Sequence, residues 1–389
     1  MARKKSVEDV DVRGKRVLVR VDFNVPQDKS GAITDDTRIR VSLPTIQYLR
    51  DKGAKVILCS HLGRPDGKVV EKMRMGPVAA RLSQLLGTPV QTVKDCVGPE
   101  VKKAVSRLKG REVLLLENLR FHSEEEENDP SFSRSLAKLA DIYVNDAFGT
   151  AHRAHASTEG VTKYLPAVAG FLMQKELQAL GQAIESPARP FAAVVGGAKV
   201  EDKIALLENI AGKVNSLLVG GGMVATFLKA RSGGQDATTA SVKKVMEKAK
   251  KNGVKVLLAS DVVVARSADA PETAKEVAVG QVPEGWAIVD IGPLTIKEFS
   301  AELTRCKTVL WNGPMGIFEV PRFARGTEAI AKTLAGLKAV TIIGGGSTAE
   351  VVDGMKLGDK MTHVSTGGGA ALMFLEGKEL PGVAALLDK

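Results

Sequence analysis

The chain has 389 residues, 44% of them apolar and only 4% aromatic, and a net charge of +10. That length exceeds one ordinary core and suits two domains, each large enough to bury an interior, and the apolar fraction excludes a disordered chain. No run approaches the roughly 18 apolar residues of a membrane span, and the basic start "MARKKSVEDVDVRGKR" has no apolar stretch behind it, so neither insertion nor export is expected. Lysine and arginine are scattered and few aromatics exist to stack bases, which argues against a nucleic acid and for small acidic ligands. Cys59, Cys96 and Cys306 form no CxxC pair, so no disulfide framework or thiolate metal site is expected, and a cytoplasmic setting fits.

In chain order, the apolar β-rich runs "RVLVRVD", "KVILCS", "EVLLLEN" and "DIYVND" fill the first half. "FAAVVGG", "SLLVGG", "KVLLAS", "AIVDIG", "TVLWNG" and "VTIIGGG" fill the second. Helical spacing between them predicts crossover helices and parallel sheets, an α/β chain with two doubly wound domains. The segment "FLMQKELQALGQAIESPARP" carries Met173, Leu177, Leu180 and Ile184 on one helical face before Pro187 and Pro190, and reads as a connecting helix with the domain boundary near 171 to 190. The acidic run Glu124 to Glu127 reads as a solvated loop or helix start.

In open parallel sheets ligands sit beyond the carboxyl ends of the strands, and there the two halves differ. After first-half strands come "DFN", "SHLGRP", "ENLRF" and "NDAFGTAHRAHAS"; after second-half strands come "GGAK", "GGGM", "IGP", "NGPMG", "GGGST" and later "STGGG". Up to residue 185 there are 15 arginines and 13 glycines, and beyond it 6 and 26. Arginine offers carboxylates and phosphates a planar, permanently charged fork, while glycine lets main-chain N–H groups approach a phosphate chain. The first half therefore reads as a receptor for a small polyanion and the second as a nucleotide cradle. In "RVDFNVP", period 2 aims Arg20, Asp22 and Asn24 to one side, with Asp22 and Asn24 delivered to the ligand and Arg20 a structural partner.

Duller readings stand beside these. One glycine pair after a strand is usually a tight turn, and one arginine there can be a structural ion pair; it is their recurrence at strand ends that favours binding. His61, His152 and His155 have no HExxH or companion carboxylates at ligand spacing. Neither GxxxxGK[ST] nor an opening GxGxxG occurs. Lys199 and Lys203 in "GGAKVEDK" are four apart, on one face at the start of an expected helix.

The ordered set "VLVRVDFNVP", "SHLGRP", "ENLRF", "AHRAHAS", "GGAKVEDK", "GGGM", "WNGPMGIFE" and "STGGGA" resembles phosphoglycerate kinases from end to end. The resemblance implies a phosphotransferase with a carboxyl acceptor. Its reaction is reversible phosphoryl transfer from 1,3-bisphosphoglycerate to MgADP, giving 3-phosphoglycerate and MgATP, in a monomeric glycolytic enzyme whose domains close across a cleft. It implies residues 1–170, joined by 376–389, as the acidic-substrate domain, 171–185 as a hinge helix and 186–375 as the nucleotide domain. It implies that Asp22, Asn24, Arg38, His61, Arg64, Arg120 and Arg153 hold 3-phosphoglycerate. Gly197, Ala198, Lys199, Lys203, Gly221, Gly292, Asn312, Gly313, Glu319, Gly345, Gly346, Ser347 and Thr348 would hold the nucleotide. Arg38, Lys199, Gly346 and Gly369 would act at the transferring group, and Asp202 is the metal candidate. Where the family commonly shows "GGGD" this chain has "GGGST", so Ser347 replaces an aspartate that approaches magnesium, and a hydroxyl is the weaker ligand for a hard dication. The alternative is a non-catalytic nucleotide- or sugar-phosphate-binding protein.

Overall fold

The computed structural model describes residues 3–389. The chain divides into two compact units, one formed by residues up to Gln178 together with Glu379–Lys389, the other by Ala179–Lys378.

The first unit is built on six parallel strands, β1 (Arg16–Arg20), β2 (Lys55–Cys59), β3 (Val90–Thr92), β4 (Val113–Leu115), β5 (Ile142–Asn145) and β6 (Ala167–Ala169), in the order β3-β4-β2-β1-β5-β6. β1 is central and almost wholly buried, with Val17, Leu18 and Val19 at 0% exposure, because helices cover both faces of the sheet. Its carboxyl end is flush with its neighbours: Arg20 lies opposite Cys59 of β2 and Asn145 of β5. The chain moves to one side of β1 through β2, then crosses to the other through β5, so the switch point of the sheet lies between β1 and β5. The carboxyl-terminal residues complete this unit, where Leu387 accepts from Lys5 N at 2.8 Å and donates to Ala167 O at 3.0 Å.

The second unit contains six parallel strands, β7 (Phe191–Val195), β8 (Ser216–Val219), β9 (Lys255–Leu258), β13 (Thr308–Asn312), β14 (Val340–Gly344) and β15 (His363–Val364), ordered β15-β14-β13-β7-β8-β9. The switch point lies between β7 and β13, whose last residues, Val195 and Asn312, are paired. Here one expectation needs correcting. "AIVDIG" forms β12 (Ala287–Ile291), which runs antiparallel to β10 (Asp261–Ala265), itself antiparallel to β11 (Lys275–Ala278), in a separate three-stranded sheet. An apolar run alone does not distinguish parallel from antiparallel pairing; the polar edge strand "KEVA" that would have signalled a small solvated sheet carries no apolar run of its own.

The helix Phe171–Glu185 carries the chain from one unit into the other, and the division falls inside it, after Gln178. Its start is fixed within the first unit. Asp146, just beyond β5, accepts from Leu172 N at 2.9 Å, and Thr45 Oγ1 accepts from Phe171 N at 2.9 Å.

Candidate functional site

At the carboxyl end of the first sheet, the segments after β1, β2, β4 and β5 converge. Asp22 is ion-paired with Arg38 of the short helix Thr37–Arg40, and its Oδ1 lies 4.0 Å from His61 Nδ1. Asn24 Oδ1 accepts from Gly63 N at 2.9 Å, tying the β1 segment to the β2 segment. Arg120, almost fully buried, donates to Gly63 O at 2.9 Å and pairs with Glu126 at 3.2 Å. These loops share Asn118, which accepts from Leu62 N and Arg120 N while donating to Leu62 O and Met73 O.

His61 sits among guanidinium groups. Burial foremost, and then the charges of Arg20, Arg120, Arg153 and Arg38, hold its pKa well below the usual histidine range, so the ring is neutral. Arg20 Nη2 lies 3.1 Å from His61 Nδ1, and because arginine only donates, Nδ1 accepts and the ring proton belongs on Nε2. Burial likewise lowers His152, whose Nε2 accepts from Arg153 Nε at 3.2 Å and whose Nδ1 is buried without a partner. His155 is pushed down to about 4, burial again leading and the arginines following. Arg38, Arg120 and Arg153 thus share one electropositive locus with His61. Arg64 is exposed three residues further along the β2 segment, with no side-chain partner among the described residues.

Beneath this locus Arg20 and Glu125 are buried together, which corrects the expectation for the acidic run. Of the run Glu124 to Glu127, expected to be solvated throughout, Glu125 is 0% exposed. Its carboxylate accepts from Ser157 N at 2.9 Å and Ser157 Oγ at 2.5 Å, and Arg20 Nε donates to the same Oγ at 2.9 Å. Burial raises the Glu125 pKa while the charge of Arg20 opposes it. The run supplies one anion inward, to balance a buried guanidinium, and three outward; nothing in four identical letters marks which.

In the second unit the site candidates surround the switch point. Gly196 N donates to Asn312 O at 3.0 Å, and a Cβ on Gly313 (φ +94°) would lie 2.2 Å from Gly196 O. Gly221 (φ +69°) is similarly pressed against Gly197. These glycines let three loops meet backbone to backbone, which accounts for them sterically, and the same bareness leaves main chain facing the strand ends. A Cβ on Gly292 would lie 2.3 Å from the carboxyl carbon of Asp261, whose oxygens accept from Leu294 N and Thr295 N at 2.9 and 2.7 Å. Lys203 Nζ donates to Asn312 Oδ1 at 2.6 Å, and burial lowers the lysine pKa. Asn312 Nδ2 is buried with no partner and lies 3.2 Å from where a Gly345 Cβ would stand, so a donor is aimed at the bare turn that opens the helix Gly346–Gly354. An unmatched buried N–H is costly, and a phosphate oxygen would satisfy it.

One expectation changes here. Lys199 and Lys203 do not share a helix face: Lys199 and Ala198 are exposed in the loop after Gly197, and regular helix begins only at Ile204, behind a single tight turn at Glu201–Lys203. Thr348 is fully buried, and its Oγ1 accepts from Gly313 N at 2.7 Å, so its hydroxyl braces the loop. Ser347 and Gly346 are exposed at the start of that helix, Gly369 opens the helix Gly369–Leu375, and Glu319 is exposed in the turn after β13.

Asp202 is exposed beside Lys203. Among the described residues the one cluster of three histidine, cysteine or acidic ligand atoms is Asp95, Cys96 and His122, in the first unit. A donor set of one exposed carboxylate and the Ser347 hydroxyl is no cage. It fits a magnesium ion that arrives bound to nucleotide phosphates and keeps several waters.

A family model for phosphoglycerate kinase matches residues 7–378. The chain belongs to the phosphoglycerate kinase family. It is 56% identical over 394 residues to a phosphoglycerate kinase of Moorella thermoacetica, covering 99% of this chain and 100% of that one. It is 58% identical to one of Gloeothece citriformis over 97% and 96% of the two chains. In structure it is similar to the phosphoglycerate kinase of Coxiella burnetii, with a TM-score of 0.87 and 39% identity over 98% of each chain, and to that of Pyrococcus horikoshii OT3, at 0.82 and 34% over 98% of each. The two six-stranded parallel sheets are those of a phosphoglycerate kinase. No helix among the described residues is long and apolar enough to cross a membrane.

Proposed function

We propose that this phosphoglycerate kinase holds 3-phosphoglycerate or 1,3-bisphosphoglycerate on its first unit and MgADP or MgATP on its second, working as a cytoplasmic monomer. The observation that carries this reading is the contrast between strand ends. One sheet ends in guanidinium groups gathered around a neutral histidine, and the other ends in interlocked glycine loops with a buried, unmatched amide donor.

On this reading Asp22 and Asn24 hold the glycerate hydroxyl and backbone, and His61, Arg64, Arg120 and Arg153 meet its phosphate. Arg38 turns toward the reacting carboxyl from its pairing with Asp22. Gly197, Ala198, Gly221, Gly292, Gly313 and Glu319 surround the adenosine, while Lys203, Asn312, Gly345, Gly346 and Ser347 reach the phosphates and their magnesium, with Asp202 nearby. Lys199 accompanies the phosphoryl group in transfer, and Gly346 and Gly369 offer it main-chain donors.

In the ATP-consuming direction the nucleophile is a carboxylate, ionised at neutral pH because its pKa lies near 4, so no general base is needed. Its oxygen forms a bond to the γ-phosphorus as the bond from that phosphorus to the bridging oxygen breaks, and ADP leaves with the electron pair. What the protein supplies is position and positive charge on the equatorial oxygens. Transfer also requires the two units to bring their ligands together, and the helix Phe171–Glu185 is the element along which that motion hinges.

A coupled assay of ATP formation from 1,3-bisphosphoglycerate and ADP tests the assignment. Arg38→Ala is expected to lose on the order of 10³-fold or more in kcat, and Lys199→Ala on the order of 10²- to 10³-fold, with the fold retained. Near-normal turnover in both variants refutes these roles, and no ATP formation by the unaltered chain would leave only the non-catalytic binding alternative.

A further inference from the structure

The second unit carries a cavity of about 240 Å³ lined by Val263, Ala274, Lys275, Glu276, Arg322 and Arg325, none of which is assigned a role above. Its floor is apolar: Val263 and Ala274 pack, with Ile317 and Val320, on the buried cluster of Ala265, Val289 and Phe323. Its rim is cationic, with three positive side chains against the single carboxylate of Glu276.

These cations are exposed and carry little structural load. Arg322 and Arg325 make no ion pair or side-chain hydrogen bond among the described residues, and Lys275 only lies over the Trp286 ring, 4.4 Å from its centroid. Arg325 is the first residue of the helix Arg325–Ala335, where the backbone dipole disfavours a positive side chain. Of the anions at that end, Glu328 pairs with Lys332 at 3.5 Å, while Asp290 accepts from Gly326 N at 2.8 Å and feels the charge of Arg325 without an ion pair to it. Arg322 and Arg325, both exposed on the rim and free of ion pairs, present two forks to one cavity, and a tetrahedral oxyanion is the ligand that arrangement suits.

We propose that this cavity is a second anion site, distinct from both substrate sites, that takes a compact phosphate-bearing ion of two or more charges between Arg322, Arg325 and Lys275. Its volume falls below the roughly 300 Å³ at which drug-sized ligand pockets begin, which suits inorganic phosphate or pyrophosphate rather than a whole nucleotide. The segment from Ile317 to Phe323 rests on the three-stranded sheet, where Ile317 N donates to Val289 O at 2.9 Å. An ion bridging Lys275 of that sheet to Arg322 pins this segment, and Glu319 lies within it.

Trp286 is the local reporter, since Lys275 stacks on it and the chain's other tryptophan, Trp311, is fully buried. Titrating pyrophosphate without magnesium or nucleotide should give a saturable change in tryptophan fluorescence that Trp286→Phe abolishes. The double variant Arg322→Gln, Arg325→Gln should weaken the apparent affinity at least tenfold, and Lys275→Gln should weaken it independently, while both turn over 1,3-bisphosphoglycerate normally. An unchanged titration in the double variant and in Lys275→Gln, a response that survives Trp286→Phe, or no saturable response at all would overturn the proposal. None of these results bears on the substrate sites, which the turnover assay reads separately.

Discussion

Single side chains in the first unit divide into those that face outward from the strand ends and those that hold them there. Arg20 is 1% exposed and Glu125 is 0% exposed, bridged by Ser157, so each charge depends on the other for compensation. Removing one partner of a buried pair leaves the other charge unpaired, which costs about 3–5 kcal/mol. Glu125→Ala should therefore lower the thermal and urea midpoints markedly and weaken 3-phosphoglycerate binding, because Arg20 also sets the His61 tautomer; isothermal titration and urea unfolding check both. A variant as stable as the parent would show that Glu125 does not balance Arg20. The polar letters at the end of "RVDFNVP" were legible as a binding edge because they interrupt an apolar run where a strand stops. Glu125 was not legible, since inward and outward carboxylates in a polar run look alike until the chain is folded.

At the level of elements, loop chemistry rather than strand content distinguishes the two sheets. Gly313 sits at φ +94° with no room for a Cβ against Gly196 O. Gly313→Ala is expected to destabilise the second unit and to raise the Kd for ADP at least tenfold while leaving 3-phosphoglycerate affinity unchanged, as titration of each ligand separately will show. Four strands of the first sheet and five of the second were readable from their apolar runs, whereas the short edge strands β3, β6 and β15 were not; the connecting helix was readable from its spacing of four, three and four. The three-stranded antiparallel sheet was not, because β11 is polar and exposed and its pairing is a tertiary property. The pairing of Lys203 with Asn312 across 109 positions was equally out of reach, though both residues were singled out separately.

The cap on the connecting helix makes a pH prediction. Asp146 is fully buried, its Oδ2 without a partner, and burial raises its pKa to about 7 although Thr45 and the amides of Leu172 and Met173 pull it down. In the unfolded chain the same carboxyl titrates near 3.8. Between those values the folded state holds a proton that the unfolded state has released, so this contribution to stability is fully present below about pH 4 and is lost as pH rises through about 7. Melting temperatures measured between about pH 5 and pH 8 should show a fall in the parent that Asp146→Asn flattens. An identical slope in the two proteins would place the titrating group elsewhere.

Across the whole molecule, arginine is concentrated before residue 185 and glycine after it, and the two compact units inherit that asymmetry. Family membership names the reaction, while the placement of each ligand rests on the strand ends of each unit. Backbone NMR of the intact chain, titrated with 3-phosphoglycerate alone and then with MgADP alone, addresses that placement directly. The first ligand should shift resonances around Asp22, Asn24, His61, Arg120 and Arg153, and the second those around Gly197, Lys203, Gly221, Gly313 and Gly345. If both ligands perturb the same unit, or either perturbs neither set, the assignment of one ligand to each unit is wrong.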